Sequence, residues 1–114
     1  MEIMHDNYCI DYDSPTTTII FKGSLRLSGM EDYSPIANLL EDVALQNKPL
    51  ITIDLKGLEF LNSSGISMLS KFVINIRKLN KSQLLIKGSD NVPWQGKSLK
   101  NLQRLMPSLI LEIS

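Results

Sequence analysis

ITIDLKGLEFLNSSGISMLSKFVINIRK, from Ile51 to Lys78, decides how this chain folds. Leu50–Leu55, LITIDL, is a near-continuous apolar run. That predicts a strand at the centre of a parallel sheet covered on both faces. Lys56-Gly57 and a short LEFL follow, then Asn62-Ser63-Ser64-Gly65. Beyond them Ile66, Leu69, Val73, Ile76 and Leu79 or Asn80 recur at helical spacing, with Arg77, Lys78 and Lys81 at the far end. Cations there offset the negative end of a helix dipole. The stretch is therefore strand, link, helix, and Asn62 is its natural N-cap.

Outward from this centre the pattern repeats. Tyr8–Tyr12 alternates in polarity and Thr16–Phe21 is β-branched and aromatic, so the two predict a hairpin turning at Asp13-Ser14-Pro15. Gly23 is read as the end of that second strand, and Ser28-Gly29 as a loop. Ser34-Pro35 has the form of a helix start, with Ser34 as N-cap, followed by Ile36, Leu39, Leu40 and Val43. Asn47-Lys48-Pro49 closes that helix. Gln83–Lys87 is another strand, Ser98–Met106 a helix ended by Pro107, and Leu109–Ile113 a last strand. The expected order is β-β-α-β-α-β-α-β, an α/β fold in one domain over residues 1–114. Its mixed, mostly parallel sheet is flanked by helices.

Composition narrows the function. The chain has 114 residues, 43% hydrophobic and 21% charged, with 12 Lys plus Arg against 12 Asp plus Glu. A balanced charge argues against nucleic-acid binding, which draws on excess cations. A single cysteine, Cys9, makes no internal disulfide and fits a reducing compartment. The N-terminus lacks the pattern of a signal peptide. No apolar run approaches the roughly 18–20 residues of a membrane span. These features point to a cytoplasmic protein without membrane insertion. His5 is the lone histidine and sits near a terminus expected to be mobile, so no hydrolytic triad or zinc site is expected. No cofactor, metal or catalytic residue is predicted.

Two stretches invite a phosphate. Asn91–Ser98, NVPWQGKS, resembles the nucleotide-binding pattern G-x-x-x-x-G-K-S, but Asn91 replaces its first glycine and Pro93 removes a backbone N–H. It reads better as a polar loop before a helix that Ser98 caps. Trp94 within it is either a partner anchor or a residue folded onto the core. The second stretch is Asn62–Gly65. The first N–H groups of a helix have no internal acceptors and the dipole's positive end lies beside them, so an anion added there is favoured. The same residues also suit an ordinary helix start.

The segment Ile51–Ser70, ITIDLKGLEFLNSSGISMLS, resembles the signature of the STAS domain family, hhhDLSxhxFhDSSGhxhLh with h apolar. The resemblance covers most of the chain from Gly23 onward and implies an anti-sigma factor antagonist. In that type the serine after the acidic residue is phosphorylated by an anti-sigma partner with serine-kinase activity, and a PP2C-type phosphatase resets the switch. The matching position is Ser63, with Ser64 second to it. The resemblance also implies a partner-binding face made of Gly23, Ser24, Arg26, Asn62, Ser63, Ser64, Gly65 and Met68. Asn62 stands where the family has an acid, and Arg26 ends a Gly-Ser-Leu-Arg segment where the family has Gly-Glu-Leu-Asp. Both changes imply a different partner surface. Arg26 has the chemistry to pair with a phosphate on Ser63 if the fold brings the two together. The competing expectation is a structural STAS subunit of a bacterial ABC lipid-transport complex, bound to its ATPase without a phospho-switch. A nucleotide-binding enzyme acting through Asn91–Ser98 is a distant third.

Overall fold

The computed structural model describes residues 2–114. Along them run β1 (Glu2–Met4), β2 (Tyr8–Asp13), β3 (Thr18–Leu25), α1 (Gly29–Leu45), β4 (Leu50–Leu61), α2 (Ser63–Leu79), β5 (Gln83–Gly88), α3 (Gln95–Leu105) and β6 (Ile110–Ile113). The described strands form one sheet in sequence order. β1, β2 and β3 pair antiparallel, and β3 through β6 pair parallel. Each parallel step needs a crossover, and a helix supplies each one. α1 packs on α2 and α2 on α3, so the helices make one layer. The fold class and the predicted element order hold, with β1 added before the expected hairpin.

That single helical layer corrects one expectation: the sheet is covered on one face, not two. Ile51, Ile53 and Leu55 of β4 are buried, while Leu50 is 41% exposed and Asp54 only half-buried. Thr52 is shielded within the open face, where Thr18 and Leu85 are its cross-strand neighbours. An apolar run was thus concealing a period-two alternation. Ile19, Phe21, Leu84 and Ile86 complete the inner surface, against Ile36, Leu40, Val73 and Ile76 from the helices.

Four boundaries also differ. α1 starts at Gly29, so Ser28 and not Ser34 takes the N-cap position, and Pro35 lies inside the helix. The cause is Tyr33, fully buried, which extends the apolar stripe one turn before Ile36. Pro35 is exposed, so water can reach the Glu31 carbonyl deprived of its partner. β4 continues unbroken through Lys56-Gly57, with two register shifts against β3 taking up its extra residues. Gly23 does not end β3. It sits inside the strand at φ +92°, where a Cβ would come within 2.3 Å of the Asn7 carbonyl oxygen. α3 begins at Gln95, which places Ser98 inside the helix and not at its cap. Finally, the N-terminal segment is ordered as β1, and His5 stacks on Tyr8 at 4.9 Å.

Candidate functional site

β3 and β4 end side by side, with Leu25 paired to Leu61. The next residue of β4's chain, Asn62, ties three segments together. Its backbone N–H donates to the Leu25 carbonyl at 3.3 Å. Its Nδ2 donates to the Leu27 carbonyl at 2.8 Å. Its Oδ1 accepts from the Gly65 N–H at 3.0 Å and from the Tyr33 hydroxyl at 2.7 Å. Two donors facing Oδ1 and one acceptor facing Nδ2 dictate which way the amide points. The Ile66 N–H then closes the first intrahelical bond, to the Asn62 carbonyl at 3.0 Å. A carboxylate would cap equally well but has no hydrogen for Leu27. This is the physical reason for an amide at position 62. Burial pushes the Tyr33 phenol above its ordinary range, so it stays a neutral donor.

Gly65 is explained by packing. A Cβ there would lie 2.1 Å from Leu61 Cδ1 and 2.8 Å from the Tyr33 hydroxyl oxygen. The missing side chain makes room for the cap's own neighbours, not for a ligand.

The consequence falls on the adjacent serines. With Asn62 turned inward, Ser63 begins α2 and is exposed, and Ser64 is half-buried. The Ser63 and Ser64 N–H groups precede the first intrahelical bond, and the first turn of α2 carries no acidic residue. Arg77 and Lys78 occupy the last turn as expected. The result is a reachable hydroxyl at the electropositive tip of a 17-residue helix.

Arg26 joins this end of the sheet, flanked by the two residues whose carbonyls bind Asn62. Its guanidinium carbon sits 4.4 Å from the centroid of the Phe60 ring. Arg26 is exposed and Phe60 is 38% exposed. Gly23 and Ser24 lie further back within β3, opposite Leu58 and Phe60. Met68 is 2% exposed and lies at the floor of a groove between α1 and α2, beside Leu40 and Phe72. Arg26, Asn62, Ser63, Ser64 and Gly65 therefore converge, while Met68 offers a partner little surface. Tyr33 and Phe60 were missed by sequence reading. Tyr33 stands one helical step before Ile36, and Phe60 is an aromatic in a strand continuation whose sequence reads as a link.

The other phosphate-like stretch is tied down by its own side chains. Gly96, Lys97 and Ser98 lie in the first turn of α3. The fully buried Gln95 donates through Nε2 to the carbonyls of Leu55 at 2.6 Å and Leu58 at 3.0 Å, and its Oε1 accepts the Ser89 N–H at 2.7 Å. Trp94 folds back and donates from Nε1 to the Leu58 carbonyl at 3.1 Å. The two side chains fasten the loop to the sheet. Among the described residues no group of three or more His, Cys, Asp or Glu is placed to hold a metal ion. No described helix is long and apolar enough to cross a membrane.

No protein-family model matches this chain, and no curated protein matches it in sequence. Solved structures do match in shape. SiaC of Pseudomonas aeruginosa superposes with a TM-score of 0.73 at 13% identity, over 100% of this chain and 96% of that one. A chain in the crystal structure of the diguanylate cyclase SiaD with its activator SiaC, from the same organism, gives 0.73 at 12% identity, over 99% and 97%. An anti-sigma factor antagonist from Mycobacterium paratuberculosis gives 0.62 at 17% identity, over 98% of this chain and 82% of that one. By its element and sheet order and these superpositions, the chain has the STAS-like fold.

Proposed function

We propose that this chain is a non-enzymatic regulatory module that binds a protein partner and is switched by phosphorylation of Ser63. The observation that carries the reading is the exposed Ser63 hydroxyl beside a fully satisfied cap. A kinase partner transfers the γ-phosphoryl group of ATP to Ser63 Oγ, the hydroxyl proton passes to the kinase's base, and ADP leaves. The product carries about −1.5 to −2 added charge at pH 7. In this chain that charge faces solvent and a helix N-terminus. In a complex it is pressed against the partner, where an unpaired anion is costly to bury.

The likeness to an anti-sigma factor antagonist supports a regulatory protein partner. In this reading an anti-sigma factor with serine-kinase activity modifies Ser63 and a PP2C-type phosphatase resets it. The likeness to SiaC, an activator of a diguanylate cyclase, extends over nearly the whole of both chains and supports a signalling enzyme as the output. The module then works in the cytoplasm, with no nucleic acid or membrane insertion involved.

The test is affinity capture from native cells with the parent protein, Ser63→Ala and Ser63→Asp. The parent and Ser63→Ala are expected to retain a partner that Ser63→Asp loses. Recovery of the same partners by all three removes the switch. Recovery of transporter subunits by all three points to the structural ABC-complex reading instead.

A further inference from the structure

Arg26 is exposed beside the Asn62 cap. The backbone around Arg26 is held against Asn62 from both sides, through the Leu25 carbonyl to the Asn62 N–H and the Leu27 carbonyl to Asn62 Nδ2. That contact brings the two segments to about 5 Å, the spacing of paired strands. Ser63 is the next residue along. The long arginine side chain can therefore span from its own backbone to the start of α2. In this structure its guanidinium carbon rests 4.4 Å from the centroid of the Phe60 ring. An exposed stack of this kind is weak, whereas a guanidinium–phosphate pair is charge-assisted and can be bidentate.

We propose that Arg26 is the counter-charge for a phosphate on Ser63: it leaves Phe60 on phosphorylation and pairs with the new anion across the β3–α1 and β4–α2 junctions. Phe60 is the resting place of the cation in the unmodified state. Phosphorylation then uncovers an aromatic ring as well as adding an anion, so the surface shown to a partner changes at two points. The proposal rests on Ser63 as the modified residue, but its chemistry is testable without a kinase.

Phosphoserine is installed at position 63 by genetic encoding, in the parent, Arg26→Gln and Arg26→Lys backgrounds. The Arg26 Nε–H signal is followed by NMR, with Phe60→Leu in the unmodified protein defining the ring-current shift. Phosphate is expected to abolish that shift and slow the exchange of this proton with water. Backbone amide exchange at Leu27 and Ser28 should slow about tenfold in the phosphorylated parent, a factor worth 1.4 kcal/mol. It should remain unchanged in phosphorylated Arg26→Gln, with Arg26→Lys intermediate. Arg26 is exposed, so its variants are expected to keep the parent's melting behaviour. An Arg26 signal that keeps its ring-current shift beside phosphorylated Ser63 overturns the proposal. Absence of Ser63 phosphorylation in cells would remove the functional reading while leaving this result to stand or fall separately.

Discussion

The starts of α2 and α3 are built from similar sequence and do opposite things. Both follow a strand, both carry glycine and serine, and both look receptive to phosphate in one dimension. At α2 the anchoring groups belong to Asn62 and Tyr33, which face inward and leave Ser63 at the surface. At α3 the anchoring groups are Trp94 and Gln95, which belong to the motif itself and are spent on the β4 carbonyls. The residues that secure the α2 start are distinct from the serine it displays, whereas at α3 they are the same stretch.

The largest effect should come from the α3 end. Gln95→Leu leaves the buried Leu55 carbonyl and the Ser89 N–H without partners, a loss of about 3 kcal/mol by urea denaturation. Phosphorylation of Ser63 should survive in whatever fraction remains folded. Next is Gly65→Ala at the displayed end. Its Cβ collides with Leu61 and Tyr33 and should cost about 2 kcal/mol. Wild-type stability in that variant would mean the cap is looser than the contacts imply.

Asn62→Asp tests the amide directly. It keeps the bonds to Gly65 and Tyr33 but loses the one to Leu27, for about 1 kcal/mol and faster amide exchange at residues 26–28. Tyr33→Phe should cost a similar amount, with a pH signature. The folded phenol titrates above its unfolded value of about 10, so its contribution is complete below that pH. It is lost as pH rises from there through the folded value. The substitution should flatten stability above pH about 10 but not abolish the slope. The Tyr8 phenol is also raised, by burial and by the Asp32 carboxylate. Smallest of all is Lys97→Ala, expected to change stability by less than about 0.5 kcal/mol and to leave ATP and GTP binding at the parent's baseline.

Much of this fold was legible because helices and strands announce themselves by period. The Asn62 cap, the α2 stripe through Ile76 and the parallel order followed from local pattern. The rest depended on contacts between distant residues. Tyr33 sits before a Ser-Pro pair that resembles a helix start, and its burial, with its bond to Asn62, becomes visible only once the distant segments are packed together. Gly23 resembles a strand breaker because nothing in sequence places the Asn7 carbonyl against it. The open sheet face was hidden by Leu50, an apolar residue left 41% exposed. At the site, Ser63 was visible as a pattern, whereas the Arg26–Phe60 stack required the bulged extension of β4.

The most direct test is phosphosite mapping. The parent protein and Ser63→Ala are incubated with ATP and the serine kinase captured as its partner, then analysed by intact mass and peptide sequencing. One phosphate is expected, on Ser63, absent from Ser63→Ala, and its addition should release the partner. Phosphate found only at other residues, or a partner equally bound before and after modification of Ser63, would contradict the proposed switch.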